Sequence, residues 1–305
     1  MADVTLRPMT LGQVLDTTFS LYKRNFWLFA GITALPFFLV LLFQIIIAAL
    51  GSPIGRAGDP TAISADLVGR MVAGAAIGAI LYLVILGYTQ AATIFAVSDL
   101  YLARSATVRG SFGKVGAKIL RIMLIFLIAI IAGILGIFVV ALVLGIIVAI
   151  VRSPLVIFPA LIVVAVPVLL LFCRLALWIP SAMLENVGAV SSFQRSMHLT
   201  QGYAFQIFLI YLLVGALTYA AILIFQLPFF AIAAKTAAAH QALPFGVAVL
   251  QHLGGFVSNV LVGPIGTIAV SLMYYNVRVR KEAFDIQHLM NSLPAGPSQG
   301  AAATT

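Results

Sequence analysis

The sequence has few charged residues, and this excludes an ordinary water-soluble protein. Asp, Glu, Lys and Arg make up 8% of its 305 residues, whereas hydrophobic residues make up 63%. A soluble domain has about 25% charged residues, because water must solvate its surface. Most of the surface of this chain must therefore be solvated by lipid.

Residue types that build catalytic and metal sites are also scarce. Cys173 is the single cysteine, so neither an intrachain disulfide nor a cysteine-rich metal site can form. The four histidines lack metal-ligand spacing, and the chain has no Walker loop and no G-x-S-x-G motif. We therefore expect no catalytic residues, no metal and no cofactor, and we predict that the chain is not an enzyme.

Long apolar runs are what the sequence does contain. A helix needs about 20 apolar residues to cross a hydrocarbon core of about 30 Å. Six runs reach that length: 26–50, 67–98, 120–150, 155–180, 203–227 and 246–276. They lack the alternating pattern of barrel strands, so we predict an all-α integral membrane protein with six transmembrane helices. Residues 1–288 would form one membrane domain, and residues 289–305 a disordered tail.

The positive charge is distributed unevenly between the two sides of these spans. The 17 Lys and Arg residues exceed the 8 acidic ones, a balance that fits nucleic acid, a membrane surface or an acidic substrate. Alternate loops hold most of the basic residues, and the other loops hold only Arg56, Arg70, Arg152 and Lys235. Because basic loops stay in the cytoplasm, we predict cytoplasmic termini in a prokaryotic inner membrane. Residues that bind nucleic acid would cluster on one soluble face, so no such partner is expected.

Three short amphipathic segments precede the odd-numbered spans. Their apolar positions are Leu11, Val14, Leu15, Thr18, Phe19 and Tyr22; then Phe112, Val115, Ile119 and Ile122; then Val190, Phe193, Met197 and Thr200. We predict three interfacial helices in the cytoplasmic headgroup layer, in a threefold repeat of interfacial helix, span out and span back. The even spans are long: residues 67–103 would reach about 55 Å as a helix. Their inner ends should protrude, so that the interfacial helices can pack against them.

Two sets of polar residues are candidate sites. Asp99, Arg174 and Glu185 lie near the inner ends of their spans. They either pair across helices or reach the interface, or they form a polar cytoplasmic vestibule for a headgroup or a partner. The basic residues predicted to contact anionic headgroups are Lys23, Arg24, Lys114, Lys118, Arg121, Arg195, Arg278 and Arg280.

Three stretches of the sequence point together to a known family. They are LRPMTLGQVLDTTFSLYKRNFWLF at 6–29, AVSSFQRSMHLTQGYAFQIF at 189–208 and SLMYYNVRVRKEAFDIQ at 271–287. As a set they resemble the glycerophosphoryl diester phosphodiesterase membrane-domain family, over residues 5–288. The family pattern has an acidic residue where this chain has Asn276.

The resemblance implies a membrane domain without enzymatic activity. In this family the domain sometimes precedes a soluble barrel that hydrolyses glycerophosphodiesters with carboxylates, a His pair and a divalent metal. The residues after Gln287 are too few and too polar to build such a barrel, so we expect a stand-alone membrane domain.

Three functions remain open at this point. The first is a lipid-facing scaffold or accessory subunit, with membrane lipids and a membrane or cytoplasmic protein as partners. The second is a transporter or lipid-translocating permease with Asp99, Arg174 and Glu185 near its pathway, because repeated units are common in transporters. An intramembrane enzyme is the third, and no motif favours it.

Overall fold

The computed structural model describes the fold of residues 8–49, 65–116, 118–151, 157–185, 187–239 and 244–284. All regular elements within these residues are helices. In chain order they are α1 Leu11–Arg24, α2 Phe26–Ala49, α3 Ala65–Tyr101, α4 Val108–Gly116, α5 Ile119–Val151, α6 Ile157–Leu175, α7 Trp178–Leu184, α8 Ala189–Leu199, α9 Ala204–Ala238 and α10 Phe245–Glu282. The predicted tail at 289–305 lies outside the described residues.

Six segments of the described chain are long and apolar enough to cross a membrane. Five of them lie in α2, α3, α5, α9 and α10, and the sixth, Val166–Leu184, runs from α6 into α7. The predicted all-α, six-span membrane fold is therefore confirmed. The order of helices also follows the predicted repeat, because α1, α4 and α8 each precede a pair of spans.

The fourth span is broken, which its apolar composition did not reveal. α6 ends at Leu175 and α7 begins at Trp178, although the run at 155–180 predicts one continuous helix. Pro180 supplies the reason, because a proline lacks the N–H that would bond the carbonyl of Ala176 and its ring crowds that carbonyl. The fifth span is longer than predicted. α9 continues through Pro228 to Ala238, well beyond the predicted end at 227.

α10 lies at the centre of the bundle. It packs against α1, α2, α3, α7, α8 and α9. Most of its side chains from Pro264 to Val279 are buried, and Ile268, Leu272 and Tyr274 are completely enclosed. α5, in contrast, lies at the periphery of the bundle. Its large side chains such as Ile134 and Phe138 are exposed, as expected where lipid surrounds a spanning helix.

The short helices pack against the helices of the even-numbered spans, with α1 on α10, α4 on α3 and α8 on α6 and α7. α1 lies obliquely along α10, because Met9 contacts Asn276 while the Tyr22 hydroxyl donates to the carbonyl of Leu261 at 2.7 Å. Val14 and Thr18 of α1 are buried in that contact. The apolar side of α1 is thus covered by helices of the bundle.

The second and third short helices differ from their predicted faces. α4 ends at Gly116, so Ile119 and Ile122 belong to the spanning helix α5. On α8 the predicted apolar residue Val190 is 64% exposed, whereas Ser192 and Ser196 are fully buried. Small hydroxyl residues allow α8 to approach the break between α6 and α7, where the Ser196 hydroxyl donates to the carbonyl of Arg174 at 2.7 Å.

Gly87 permits a close approach between α3 and α5. A Cβ atom at this position would lie 2.8 Å from Ile122 Cγ2 and 2.8 Å from Phe126 Cε2. Gly133 of α5 has nothing within 4 Å of the equivalent point. The two glycines therefore provide a matched pair for testing this contact.

We expect Gly87→Ala to lower the free energy of unfolding by about 1–3 kcal/mol, because the added methyl group overpacks the α3–α5 contact. Gly133→Ala should be neutral or stabilise by up to about 1 kcal/mol through helix propensity. Thermal unfolding in detergent can be followed with a thiol-reactive fluorophore, because the single cysteine, Cys173, is buried. Equal melting temperatures for the two variants would contradict the close approach.

Candidate functional site

Charged and polar side chains gather at one end of the bundle, which we call the charged end. It consists of α1, α4, α7 and α8 together with the last turns of α3 and α10. Three acidic residues there are withdrawn from water: Asp99 is buried, and Glu185 and Glu282 are half-buried, whereas Asp16 of α1 is exposed. A carboxylate removed from water needs a cation or several hydrogen-bond donors, so the surroundings of these acids determine the site.

Glu185, Arg195, Arg278 and Glu282 form a closed set of ion pairs, the charge ring. Arg195 Nε donates to Glu185 Oε2 at 2.6 Å, and its Nη2 pairs with Glu282 Oε1. Arg278 Nε donates to Glu282 Oε2 at 3.0 Å and lies 3.8 Å from Glu185 Oε1. The two acids and two bases alternate, so the ring is neutral as a whole.

Three helices supply the charge ring. Glu185 is the C-cap residue of α7, and Arg195 lies on α8. Tyr274, Arg278 and Glu282 of α10 are spaced by four residues, which places them on one face of that helix. The Tyr274 hydroxyl donates to Glu185 Oε1 at 2.8 Å and accepts from Arg278 Nη1 at 3.2 Å. The ring therefore joins α7 and α8 to the central helix.

The ring also raises the pKa of Arg195, so that its guanidinium stays protonated. Burial alone would lower the pKa of its guanidinium, but the hydrogen bond and charge of Glu185, followed by those of Glu282, outweigh burial and raise the pKa. Arg195 thus remains charged under all ordinary conditions. Arg278 is further covered by the Phe284 ring, whose centroid lies 4.3 Å from its guanidinium carbon.

Asp99 is neutralised separately, by Lys114 of α4. Lys114 Nζ donates to both carboxylate oxygens, at 2.7 Å and 2.5 Å. Asp99 lies in the last turn of α3, where the helix dipole disfavours a negative charge, so this pairing offsets an unfavourable position. The neighbouring Ser98 hydroxyl is hydrogen-bonded to the Tyr275 hydroxyl at 2.7 Å, which joins the end of α3 to α10.

Lys118 and Arg121 bind the C-terminal end of α7. Lys118 Nζ donates to the carbonyl of Met183 at 2.6 Å, and Arg121 Nη1 donates to the carbonyl of Ala182 at 3.0 Å. The last carbonyls of a helix have no partner within the helix, and cations are favoured there. Burial, and secondarily the positive charge of Arg121, lower the pKa of the Lys118 ammonium group.

Asn276 holds the start of α1 through both of its amide atoms. Its Oδ1 accepts from the backbone N–H of Met9 at 2.8 Å, and its Nδ2 donates to the carbonyl of Met9 at 3.1 Å. Arg280 Nη2 donates to the same carbonyl at 2.9 Å. An ionised acid at 276 could not donate to this carbonyl as the Asn276 amide does, and Arg280 would be its remaining side-chain donor.

A second group of cations points outward from the charged end. Its members are exposed, and their side chains have no ion-pair or hydrogen-bond partner among the described residues: Lys23, Arg24, Arg104, Arg109 and Arg174. Three of them, Arg104, Arg109 and Arg174, were not in the set predicted to contact headgroups, and Arg174 belonged instead to the predicted vestibule. For Arg104 and Arg109, the concentration of basic residues in one loop was a signal that could have identified them.

The members of the two predicted sets lie in different surroundings. Asp99 and Glu185 have different partners in the described structure, and Arg174 is exposed, so no shared contact joins the three residues of the predicted vestibule. Of the predicted headgroup contacts, Lys23, Arg24 and Arg280 are exposed and Lys114 is partly exposed. Contacts with the protein itself are made by Lys114 at Asp99, Arg195 and Arg278 in the charge ring, Lys118 and Arg121 at α7, and Arg280 at Met9.

Comparisons with family models, curated proteins and solved structures yielded no match to this chain. The described residues contain no group of three or more His, Cys, Asp or Glu side chains that could hold a metal ion. The charged end is therefore the feature of the described structure that bears most directly on function.

We expect Glu185→Gln to lower the free energy of unfolding by roughly 2 kcal/mol, because it leaves Arg195 and Arg278 with one acid between them. Asp16→Asn, which removes an exposed carboxylate from α1, should have almost no effect. Unfolding of the detergent-solubilised protein would be followed through exposure of Cys173. A double-mutant cycle with Arg195→Gln should give a coupling free energy of at least about 1 kcal/mol, and additive effects would contradict the ring.

Proposed function

We propose that this chain is a non-enzymatic scaffold or accessory subunit of a prokaryotic inner membrane. Its charged end and both termini lie on the cytoplasmic side, where the charged end forms a basic surface for anionic lipid headgroups. The observation that carries the proposal is the division of the cations into two groups. One group neutralises the acids and helix ends of the protein, and the other is exposed and unpaired among the described residues.

The exposed group has the charge and location that headgroup binding requires. The cytoplasmic leaflet of a membrane is negative, and each Lys or Arg near it contributes about 1 kcal/mol of attraction. The neutral charge ring contributes little to that attraction. Lys23 and Arg24 are the best placed, because they precede α2 beside Trp27, which is 84% exposed and suits the interfacial region.

The state of the acidic residues supports a non-enzymatic role. A general acid or base needs a carboxyl group that is free to exchange its proton with a substrate. Asp99 is bound by Lys114, and Glu185 and Glu282 are bound within the charge ring. These contacts give the three acids that are withdrawn from water a structural role, whereas Asp16 of α1 is exposed.

α8 provides a surface for a protein partner. Its inner face packs into the bundle, whereas Val190, Gln194 and His198 are exposed on the other face. This surface is mixed and weakly charged, unlike the basic surface near α1. A membrane or cytoplasmic protein could bind α8 while the basic residues hold lipid.

We further propose membership of the glycerophosphoryl diester phosphodiesterase membrane-domain family as a stand-alone member. The three stretches that carry the resemblance meet at the charged end, which supports a common origin for them. Met9 of the first stretch is bound by Asn276 of the third, and Arg195 of the second pairs with Glu282 of the third.

We expect replacement of the exposed cations by Gln to abolish most of the preference for anionic lipid. The protein would be placed in nanodiscs containing phosphatidylglycerol and phosphatidylcholine, and retained lipids would be counted by native mass spectrometry. Losing all of Lys23, Arg24, Arg104, Arg109 and Arg174 should reduce the preference for phosphatidylglycerol by about tenfold or more.

The matched control is the double variant Glu185→Gln/Arg195→Gln, which keeps the net charge and every exposed cation. Its lipid preference should equal that of the natural chain even though its stability differs. An unchanged preference in the Gln-substituted protein would reject the headgroup role. Uptake of a solute or lipid scrambling in proteoliposomes would instead favour a transporter.

We expect the charged end to be inaccessible from outside the cell. In a Cys173→Ala background, Asp16→Cys places a thiol on α1, and Lys235→Cys places one near the other end of the bundle. Both positions are exposed. A membrane-impermeant maleimide applied to spheroplasts should label Lys235→Cys, and it should label Asp16→Cys only after permeabilisation. The reverse pattern would invert the proposed orientation.

A further inference from the structure

A polar pocket lies between α2, α3, α9 and α10, away from the charged end. Its volume is about 140 Å³. The hydrogen-bonding side chains that line it are Gln44, Tyr82, Gln226, Gln251, His252 and Asn259. Phe37, Leu41 and Phe256 form an apolar wall beside them. The pocket thus combines one polar and one apolar side.

The depth of the pocket makes these polar residues unusual. Phe37 and Gln44 lie roughly 17 Å and 27 Å along α2 from its start at Phe26, at 1.5 Å per residue. With the boundary of the hydrocarbon core near Trp27, the pocket lies in the half of a core of about 30 Å that is farther from the charged end. Polar side chains at such a depth are costly unless they serve packing or binding.

Only some of the polar side chains that line the pocket have hydrogen-bond partners in the described part of the protein. Gln226 Nε2 donates to the carbonyl of Gln251 at 3.2 Å, and Asn259 Nδ2 donates to the carbonyl of Gly255 at 3.0 Å. The side chains of Gln44, Tyr82, Gln251 and His252 have no hydrogen-bond partner within the described part of the chain. Four hydrogen-bonding groups at the pocket are thus available to a ligand.

Two adjacent glycines bring the walls together. A Cβ atom at Gly254 would lie 2.7 Å from the carbonyl oxygen of Phe225, so α9 and α10 touch through their backbones here. A Cβ atom at Gly255 would lie 2.9 Å from Gln226 Nε2. The Gln226 amide therefore lies directly against Gly255, where it also lines the pocket.

We propose that this pocket binds an uncharged group with several hydroxyls, supplied by the head of a neutral glycerolipid or by a small free polyol. No Asp, Glu, Lys or Arg is among its lining residues, so nothing there balances a charged ligand. Amide, imidazole and phenol groups both donate to and accept from hydroxyls. The apolar wall suits the carbon skeleton of such a group.

The volume limits the size of the bound group. A cavity of about 150 Å³ accommodates benzene, which has six heavy atoms. A glycerol unit also has six, so the pocket admits one polyol head, while the acyl chains of a lipid would extend between the spanning helices. This proposal does not depend on the cations of the charged end, and either proposal can fail alone.

The test is a titration of the full-length protein in detergent, followed by native mass spectrometry. The probes are monooctanoylglycerol, which has two free hydroxyls, octanoyl lysophosphatidic acid with the same chain and an added negative charge, and glycerol alone. We expect monooctanoylglycerol to bind at least about tenfold more tightly than the lysophosphatidic acid. The double variant Gln44→Leu/Gln226→Leu should weaken its binding by about tenfold or more.

Two further variants separate pocket effects from general effects. Gly255→Ala should also weaken binding, because its methyl group displaces the Gln226 amide, and the flexible side chain can move without disturbing the fold. Gln201→Leu makes the same chemical change in the exposed turn after α8, so binding should be unaltered.

Each outcome has one meaning. Binding of monooctanoylglycerol but not glycerol, lost in the pocket variants, supports the proposal with a lipid as the source. Glycerol binding with the same sensitivity supports it with a free polyol as the source. Equal binding of the lysophosphatidic acid, unchanged binding in the pocket variants, or no binding of either uncharged probe would overturn it.

Discussion

Neutralisation of the acids at the charged end is the interaction on which the other contacts there depend. Asp99, Glu185 and Glu282 are withdrawn from water, so each needs a cation from another helix. Lys114 holds α4 on α3, and Arg195 holds α8 on both α7 and α10. Since van der Waals packing and hydrogen bonds, rather than apolar burial, associate helices in lipid, these directional contacts give the bundle a specific arrangement.

The same requirement divides the basic residues by role. Cations within reach of an acid or of a helix C-terminus become part of the protein, and those without such a partner remain available at the surface. Lys118 and Arg24 illustrate the difference: both are basic residues beside a span, but only Lys118 reaches the open carbonyls at the end of α7. A basic residue next to a membrane span is therefore not by itself evidence for lipid binding.

Hydropathy and helical periodicity were sufficient to predict the six spans and the three short helices. These features depend on local composition, because a helix in lipid satisfies its own backbone whatever its neighbours are. The predictions were wrong where contact with a neighbouring helix determines which residues are buried. Ser192 and Ser196 are buried on α8 because the break between α6 and α7 offers carbonyls and a close surface, and no hydrophobic pattern reports that. The break itself depends on one proline, whereas Pro228 leaves α9 intact.

An all-α protein with six spans could be predicted from local composition, because apolar length and helix formation are properties of one segment at a time. The basic loops also favour one orientation. The packing of the helices set which acid pairs with which cation, since Glu282 is remote in sequence from Glu185 and Arg195 and meets Arg195 only when α8 and α10 pack. It likewise brought the amides of α2, α9 and α10 around one pocket, because side chains on separate helices can share a ligand only after those helices are in contact.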